Sequence, residues 1–492
     1  MGDVPAARRR GDRRIEGLNG TDPRLDAVVV GAGPNGLAAA ITLARAGRSV
    51  EVLEAAAEPG GGSRSAELTL PGFVHDVCSS VQPLGIASPF FRGLDLADRG
   101  LAWVHPDAPL AHPLDDGRVA FLERSVERTA AGLGRDRRRW QLLFGPIVDD
   151  VERLLPAILG PVVRAPRHPI ALARFGLPAL LPASTLASRW FRDDPARALF
   201  AGIAAHSMVA LDRPLSASFA LVLGMLGQSV GWPLARGGSG QLTKALVAEL
   251  EANGGQVRVD ARVASEADLP PAAATVLDVT PRQALAIAGS RMSRRDRFAA
   301  RRFRYGPGVF KVDWALDGPI PWRSAEVARA GTVHLGGRLD ELVASEAAVA
   351  AGREPERPFV LLVQPTLFDP SRAPAGRHIG WAYCHVPAGS AVDMTDRIEA
   401  QVERFAPGFR DRILGRRTVG PAELEAYDAN YVGGDINGGI ADIRQLILRP
   451  WPSLDPYRLG SDLWICSSST PPGGGVHGMS GWHAAQSVLA HS

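Results

Sequence analysis

Cysteine is scarce in this chain. Cys78, Cys384 and Cys466 are its only three, they lie far apart, and none belongs to a Cys-x-x-Cys pair. A redox-active dithiol is thereby excluded and zinc ligation is unsupported, so no metal is expected. The same scarcity fits a reducing, cytoplasmic compartment. Uninterrupted apolar runs of 18 residues are missing, so no spanning helix is expected. Net charge is only +3, which argues against a nucleic-acid partner. Internal repeats and low-complexity linkers are also missing. What remains is a globular composition, 46% hydrophobic and 22% charged, in 492 residues, enough for two or three domain-sized units. Residues 1–24 carry the run Arg8-Arg9-Arg10-Gly11-Asp12-Arg13-Arg14 and read as a disordered tail, with an anionic-surface contact as the alternative. No apolar stretch behind it marks a secretory signal.

Residues 26–54 are the most informative stretch. Val28, Val29 and Val30 run into Gly31-x-Gly33-x-x-Gly36, then an alanine-rich helical stretch, then a second β-branched run from Val50 that ends on Glu54. This order of strand, glycine turn, helix, strand and acid is a βαβ unit for a dinucleotide. Gly31 permits the tight turn, Gly33 the approach of backbone to a pyrophosphate, and Gly36 close packing of helix on strand. Unpaired N–H groups and the helix dipole favour the phosphates there. Glu54, 18 residues beyond Gly36, is placed to accept the ribose hydroxyls, which disfavours a 2′-phosphate. Six residues on, Gly60-Gly61-Gly62-Ser63-Arg64 supplies a second glycine turn at Gly61 and a guanidinium at Arg64 to offset the diphosphate, the alternative being a solvated arginine. That element points to non-covalent FAD rather than NAD.

With these residues, the chain resembles flavoprotein oxidoreductases related to phytoene desaturase, carotenoid isomerase and retinol saturase, especially bacterial relatives of pyridine nucleotide-disulfide oxidoreductase domain-containing protein 2. The likeness spans roughly 25–490. It is carried by Leu70-Pro71-Gly72-Phe73-Val74-His75-Asp76, Gly231-Trp232-Pro233-Leu234, Tyr431-Val432-Gly433-Gly434-Asp435-Ile436-Asn437 and Ser467-Ser468-Ser469-Thr470-Pro471-Pro472-Gly473-Gly474-Gly475-Val476-His477. It implies an α/β fold, a Rossmann-like FAD-binding domain of glutathione-reductase or amine-oxidase type, with an inserted substrate part of helices and antiparallel sheet. It further implies that the Val263 backbone holds the adenine edge, and that the loop at Gly475, with amides near Val476 and Met479, meets the flavin ring.

The domain reading is discontinuous: 25–100, 236–290 and 455–492 for the cofactor, 101–235 and 291–454 for the substrate. Apolar spacing predicts helices at 145–159, 196–209, 216–226, 241–252 and 397–405. Strands are predicted at 257–263, 274–279, 309–316, 359–364, 378–385 and 463–467. The stretch 168–191, rich in Leu, Ala and Pro, reads as short core helices or as an interfacial surface touching a membrane. A second glycine fingerprint is missing, so no separate NAD(P)H domain is expected.

For catalysis the candidates are His477 as acid or base or as a cap on the last helix, His75 at the substrate channel, and Asp435 beside Asn437 as substrate-side groups or turn formers. Asp76 reads as a channel group beside His75 or as a loop anchor that accepts backbone N–H bonds, and Tyr431, Trp232 and Trp381 as tunnel wall or core. The leading expectation is an FAD-dependent oxidoreductase acting on carbon–carbon bonds of an apolar small molecule. An amine or alcohol oxidase of the same fold and a non-catalytic flavin-bearing protein are the alternatives, and the oligomeric state is open. Gly33→Val is expected to abolish flavin retention, because a branched side chain collides with the diphosphate; a variant that stays yellow contradicts the loop assignment.

Overall fold

A computed structural model describes residues 24–161 and 165–491; the arginine run 8–14 lies outside them. The valines of strand Leu25–Val30 are β-branched and apolar, suited to a strand covered on both faces. It is the centre of a five-stranded parallel sheet ordered Leu463–Ile465, Ala272–Leu277, Leu25–Val30, Val50–Leu53, Gln256–Arg258. Three distant parts of the chain therefore build one sheet. Helix Pro34–Arg45 covers it, opened by Pro34 where a missing N–H costs nothing. Helix Met479–His491 packs across its start at Gly481, where a Cβ would run into the Asn35 carbonyl.

The second sheet has seven strands, ordered Ile413–Val419, Gly308–Leu316, His378–Val386, Val360–Val363, Ala330–Leu335, Ala108–Pro113, Val119–Leu122. It is mixed rather than purely antiparallel, because Ala330–Leu335 runs parallel to Ala108–Pro113. Its central strands are buried on both faces. One set of alternate side chains (Val312, Trp314, Val360, Leu362, Ala382, Cys384) joins Ile398, Val402 and Phe405 of helix Thr395–Phe405 in a second core. The other set (Leu361, Val363, Trp381, Tyr383) faces the main core shared with the cofactor-type sheet. Helices Asp194–Ala205 and Ser216–Ser229 stand against that face.

Several predicted elements end elsewhere: the helix expected at 196–209 is Asp194–Ala205, the one at 216–226 runs on to Ser229, and two more depart further. Residues 145–159 are not one helix: Arg137–Asp149 stops at Asp150 and Val151–Ile158 begins anew. The strand at 257–263 is only Gln256–Arg258, because Asp260 takes φ of +52° and turns the chain, its N–H donating to Ala56 O. Among the described residues no single helix is long and apolar enough to cross a membrane. Gly481→Ala is expected to cost about 1–3 kcal/mol through overpacking, read as a lowered melting temperature; an unchanged one means the last helix slides freely.

Candidate cofactor and substrate site

Gly31 has φ of +100° and its N–H donates to Leu53 O at 2.8 Å, which holds the turn against the second strand. A methyl at Gly36 would run into the Gly31 carbonyl, so only glycine lets the helix start this close to the strand. The helix N-terminus thus presents unpaired N–H groups and its positive dipole end at Gly33, on the wall of the main cavity. Gly61, with φ of +50°, lies alongside: a Cβ there would be 3.4 Å from the Gly33 Cα.

Asp278, at the end of strand Ala272–Leu277, is the carboxylate that reading the sequence missed. Its Oδ2 accepts the Gly36 N–H at 2.8 Å, and a Cβ on Gly33 would sit 2.9 Å from the same oxygen. Burial pushes this carboxyl up to about 8, with Asp428 and Glu54 adding to the rise and the Gly36 hydrogen bond opposing it. The parallel register Val30↔Leu277 is what brings residue 278 against the glycine turn, and local pattern carries no trace of that pairing.

Glu54 and Arg64 come together, but on each other. Glu54 accepts the N–H groups of Ala32 and Ala56, both at 2.9 Å, and pairs with Arg64 Nη2 at 3.2 Å. The Arg64 guanidinium lies 5.3 Å over the Tyr427 ring and does not itself line the cavity. Tyr427 in turn donates to Gly61 O at 2.8 Å, and Asn430 bridges Thr280 N–H and Asp278 O. Val263 is half-buried against Val30 and Leu277 and does not border the cavity.

The cavity holds about 840 Å³ and runs from Gly33 and Asn35 past Gly61, Ser79 and Gly475 to a chamber walled by Leu172, Phe175, Phe219, Val222, Leu223 and Leu361. Val476 borders it, while Met479 lies just behind. Asn35 Oδ1, Ser63 Oγ and Gln82 Oε1, all on residues of the wall, are buried without a hydrogen-bond partner among the described residues. A glycine cradle, a helix N-terminus and polar atoms left to a ligand fit a dinucleotide in size and chemistry.

The catalytic candidates divide. His477 is buried on the wall; its Nδ1 accepts the Met479 N–H at 3.0 Å and its Nε2 faces Gly473 O at 3.2 Å. It therefore caps the last helix, and burial lowers it to about 4, so it stays neutral at pH 7. His75 does not reach the channel. It is sealed in a polar cluster, its Nε2 2.8 Å from Thr69 Oγ1 and its Nδ1 3.5 Å from Asp313, with burial and then Lys311 and Arg372 lowering it to about 3. Asp313 is ion-paired with buried Lys311, whose ammonium is 5.7 Å from the Trp381 ring on the cavity wall. Asp76 anchors this cluster through Arg372 at 2.9 Å and the Ser65 and Ser80 hydroxyls. Burial alone would push the Asp76 carboxyl up, but Arg372 and these hydrogen bonds hold it below its ordinary value. Asp435 accepts from Gly306, Asn437 and Gly439 N–H and shapes its loop from behind the wall, which Ile436, Asn437, Gly438 and Gly439 line.

A histidine pair emerges that no motif announced. His206, on the chamber wall, has its Nε2 3.0 Å from His334 Nε2, and one must donate to the other. Burial lowers His206 to about 3 and His334 well below its ordinary value, so both are neutral. Among the described residues no group of three or more His, Cys, Asp or Glu is arranged to hold a metal.

Against this geometry, a family model for the NAD(P)-binding Rossmann-like domain matches residues 29–90. Over 97% of its length the chain is 26% identical to rat (Rattus norvegicus) pyridine nucleotide-disulfide oxidoreductase domain-containing protein 2, covering 96% of that protein. Over 48% of its length it is 33% identical to hydroxyneurosporene desaturase of Cereibacter sphaeroides, covering 50% of it. Its fold matches a putrescine oxidase variant with a TM-score of 0.61 at 17% identity, over 95% of this chain and 99% of the other. The α/β architecture is thus a fold shared with the putrescine oxidase variant.

Above about pH 8 an ionised Asp278 would add negative charge beside the phosphates. Titration with FAD, followed by fluorescence quenching, is expected to give weaker binding at pH 9 than at pH 7, and Asp278→Asn is expected to remove most of that difference. Equal loss in the variant would assign the pH effect to another group.

Proposed function

We propose that this protein is an FAD-dependent oxidoreductase acting on a carbon–carbon bond of a lipophilic, polyene-like substrate. The observation that carries the reading is the continuity of one cavity from the glycine cradle at Gly33 to a chamber walled by leucine and phenylalanine. Bound flavin supplies hydride exchange. Gly31, Gly33, Gly36 and Gly61 would hold its diphosphate region, and the loop at Gly475 and Val476 its ring.

The chain's own residues supply the rest. The apolar wall around Phe175, Phe219 and Leu223 desolvates an alkene and excludes water. Tyr383, Trp381 and Leu361 project from adjacent strands onto the same space and set the substrate's orientation. Proton balance needs a partner, and we assign it to His206 on the chamber wall, which becomes an imidazolium on taking one proton, its Nε2 held 3.0 Å from His334 Nε2. The acids on the described wall, Asp278 and Asp428, stand at the cradle end and are both raised by burial. A cationic amine in the chamber would find no carboxylate, which disfavours the amine-oxidase alternative.

The purified protein is expected to show a flavin absorption band that bleaches anaerobically with a carotenoid, retinoid or monoterpene. A protein colourless after incubation with FAD, or one that releases peroxide with amines alone, overturns the reading. His206→Gln is expected to keep the flavin and slow its reduction about 100-fold; unchanged kinetics return His206 to wall packing.

A further inference from the structure

The segment 165–190 has a surface that its own fold leaves uncovered. It forms helices Pro169–Ala179 and Ala183–Trp190, which meet at 94°. Ile170, Ala173 and Leu177, at helical spacing, point outward; Ile170 is 70% exposed and Leu177 71%. Leu180 and Leu181 in the bend continue the same apolar patch. Large aliphatic side chains clustered this way in solvent mark an interaction surface rather than incidental exposure. The opposite side of the first helix, at Leu172 and Phe175, lines the cavity. Pro169, Ala173, Leu177 and Leu180 are exposed and also border the cavity, so the chamber opens to the outside through this patch.

The charges beside it have one sign. Residues 165–190 contain Arg167, Arg174 and Arg189 and no Asp or Glu. All three arginines are exposed, and among the described residues Arg174 alone has an acidic partner close by, Asp150 at 3.4 Å. An apolar stripe with a cationic rim complements an anionic phospholipid surface: aliphatic side chains enter the acyl boundary while guanidinium groups meet phosphates.

We infer that helix Pro169–Ala179 and the bend after it dock this protein on an anionic lipid bilayer, with the cavity mouth turned to the membrane. Docking stands without the reaction proposed above; only the route it offers a lipophilic substrate rests on that reading.

The test is co-sedimentation of the full chain with vesicles of phosphatidylcholine and phosphatidylglycerol in equal parts. The wild type is expected to pellet, less so with phosphatidylcholine alone or at high salt. Ile170→Asp with Leu177→Asp is expected to lower partitioning about tenfold or more, with the melting temperature retained because both side chains are exposed. Arg167→Glu with Arg189→Glu is expected to lower binding only to the anionic vesicles. A wild type that stays in the supernatant overturns docking. So does a double aspartate variant that partitions like the wild type, or one whose only change is loss of a concentration-dependent dimer in vesicle-free gel filtration.

Discussion

Backbone meets backbone between Gly31 and Gly36, and the rest of the molecule is arranged around that approach. A single methyl at Gly36 would occupy the space of the Gly31 carbonyl oxygen. Because it is absent, the first helix begins directly over the first strand and its N–H groups point at the cavity. The neighbouring strand delivers Asp278 to the same turn, where burial makes it a neutral acid at pH 7. A neutral carboxyl beside a phosphate avoids the repulsion that an ionised one would impose. This arrangement suits a dinucleotide without any cationic side chain in the cradle.

The hairpin Ser65–Glu67/Val74–Asp76 is tied to the substrate-side sheet by charge as well as by apolar packing. Asp76 and Arg372, both about 1% exposed, form an ion pair that joins the segment after the second glycine turn to the substrate-side sheet. Lys311, Asp313 and His75 are sealed in the same cluster. Buried pairs of this kind add little net stability over an apolar core, but losing one partner strands the other at a cost of about 3–5 kcal/mol. They specify how hairpin and sheet meet. Trp381 shows the consequence: its indole N–H donates to Asp76 O at 2.9 Å while its ring lines the cavity. The wall is therefore positioned by polar contacts set behind it.

Much of this was legible along the chain, unevenly. The glycine fingerprint, its helix, the second glycine turn and the terminal loop are local patterns of turn chemistry and periodicity, and they led to the cradle and to Gly475 and Val476. Glu54 reads along the chain as a ribose acceptor and Arg64 as a diphosphate partner, yet in the fold they meet Ala32, Ala56, Tyr427 and each other. His477 and Asp435 had been read two ways, and the hydrogen bonds give each a structural role as helix cap and loop former. His75 looked like a channel residue because it follows a recognisable motif; the fold turns it inward, against Asp313.

By itself the sequence determined the nucleotide-type crossover and the glycine turns beside it, because periodicity and glycine placement act over a few residues and need no distant partner. Only the tertiary structure decided which charges share the cradle, which histidine faces the chamber and which leucines are left outside. Residues 36 and 278 are far apart in the chain, as are 206 and 334, and their contacts follow from strand register and sheet packing, which no short window encodes. Outside position is likewise a property of the packed whole: Phe175 and Ile170 share one helix, yet the first is buried in the cavity wall and the second is surface.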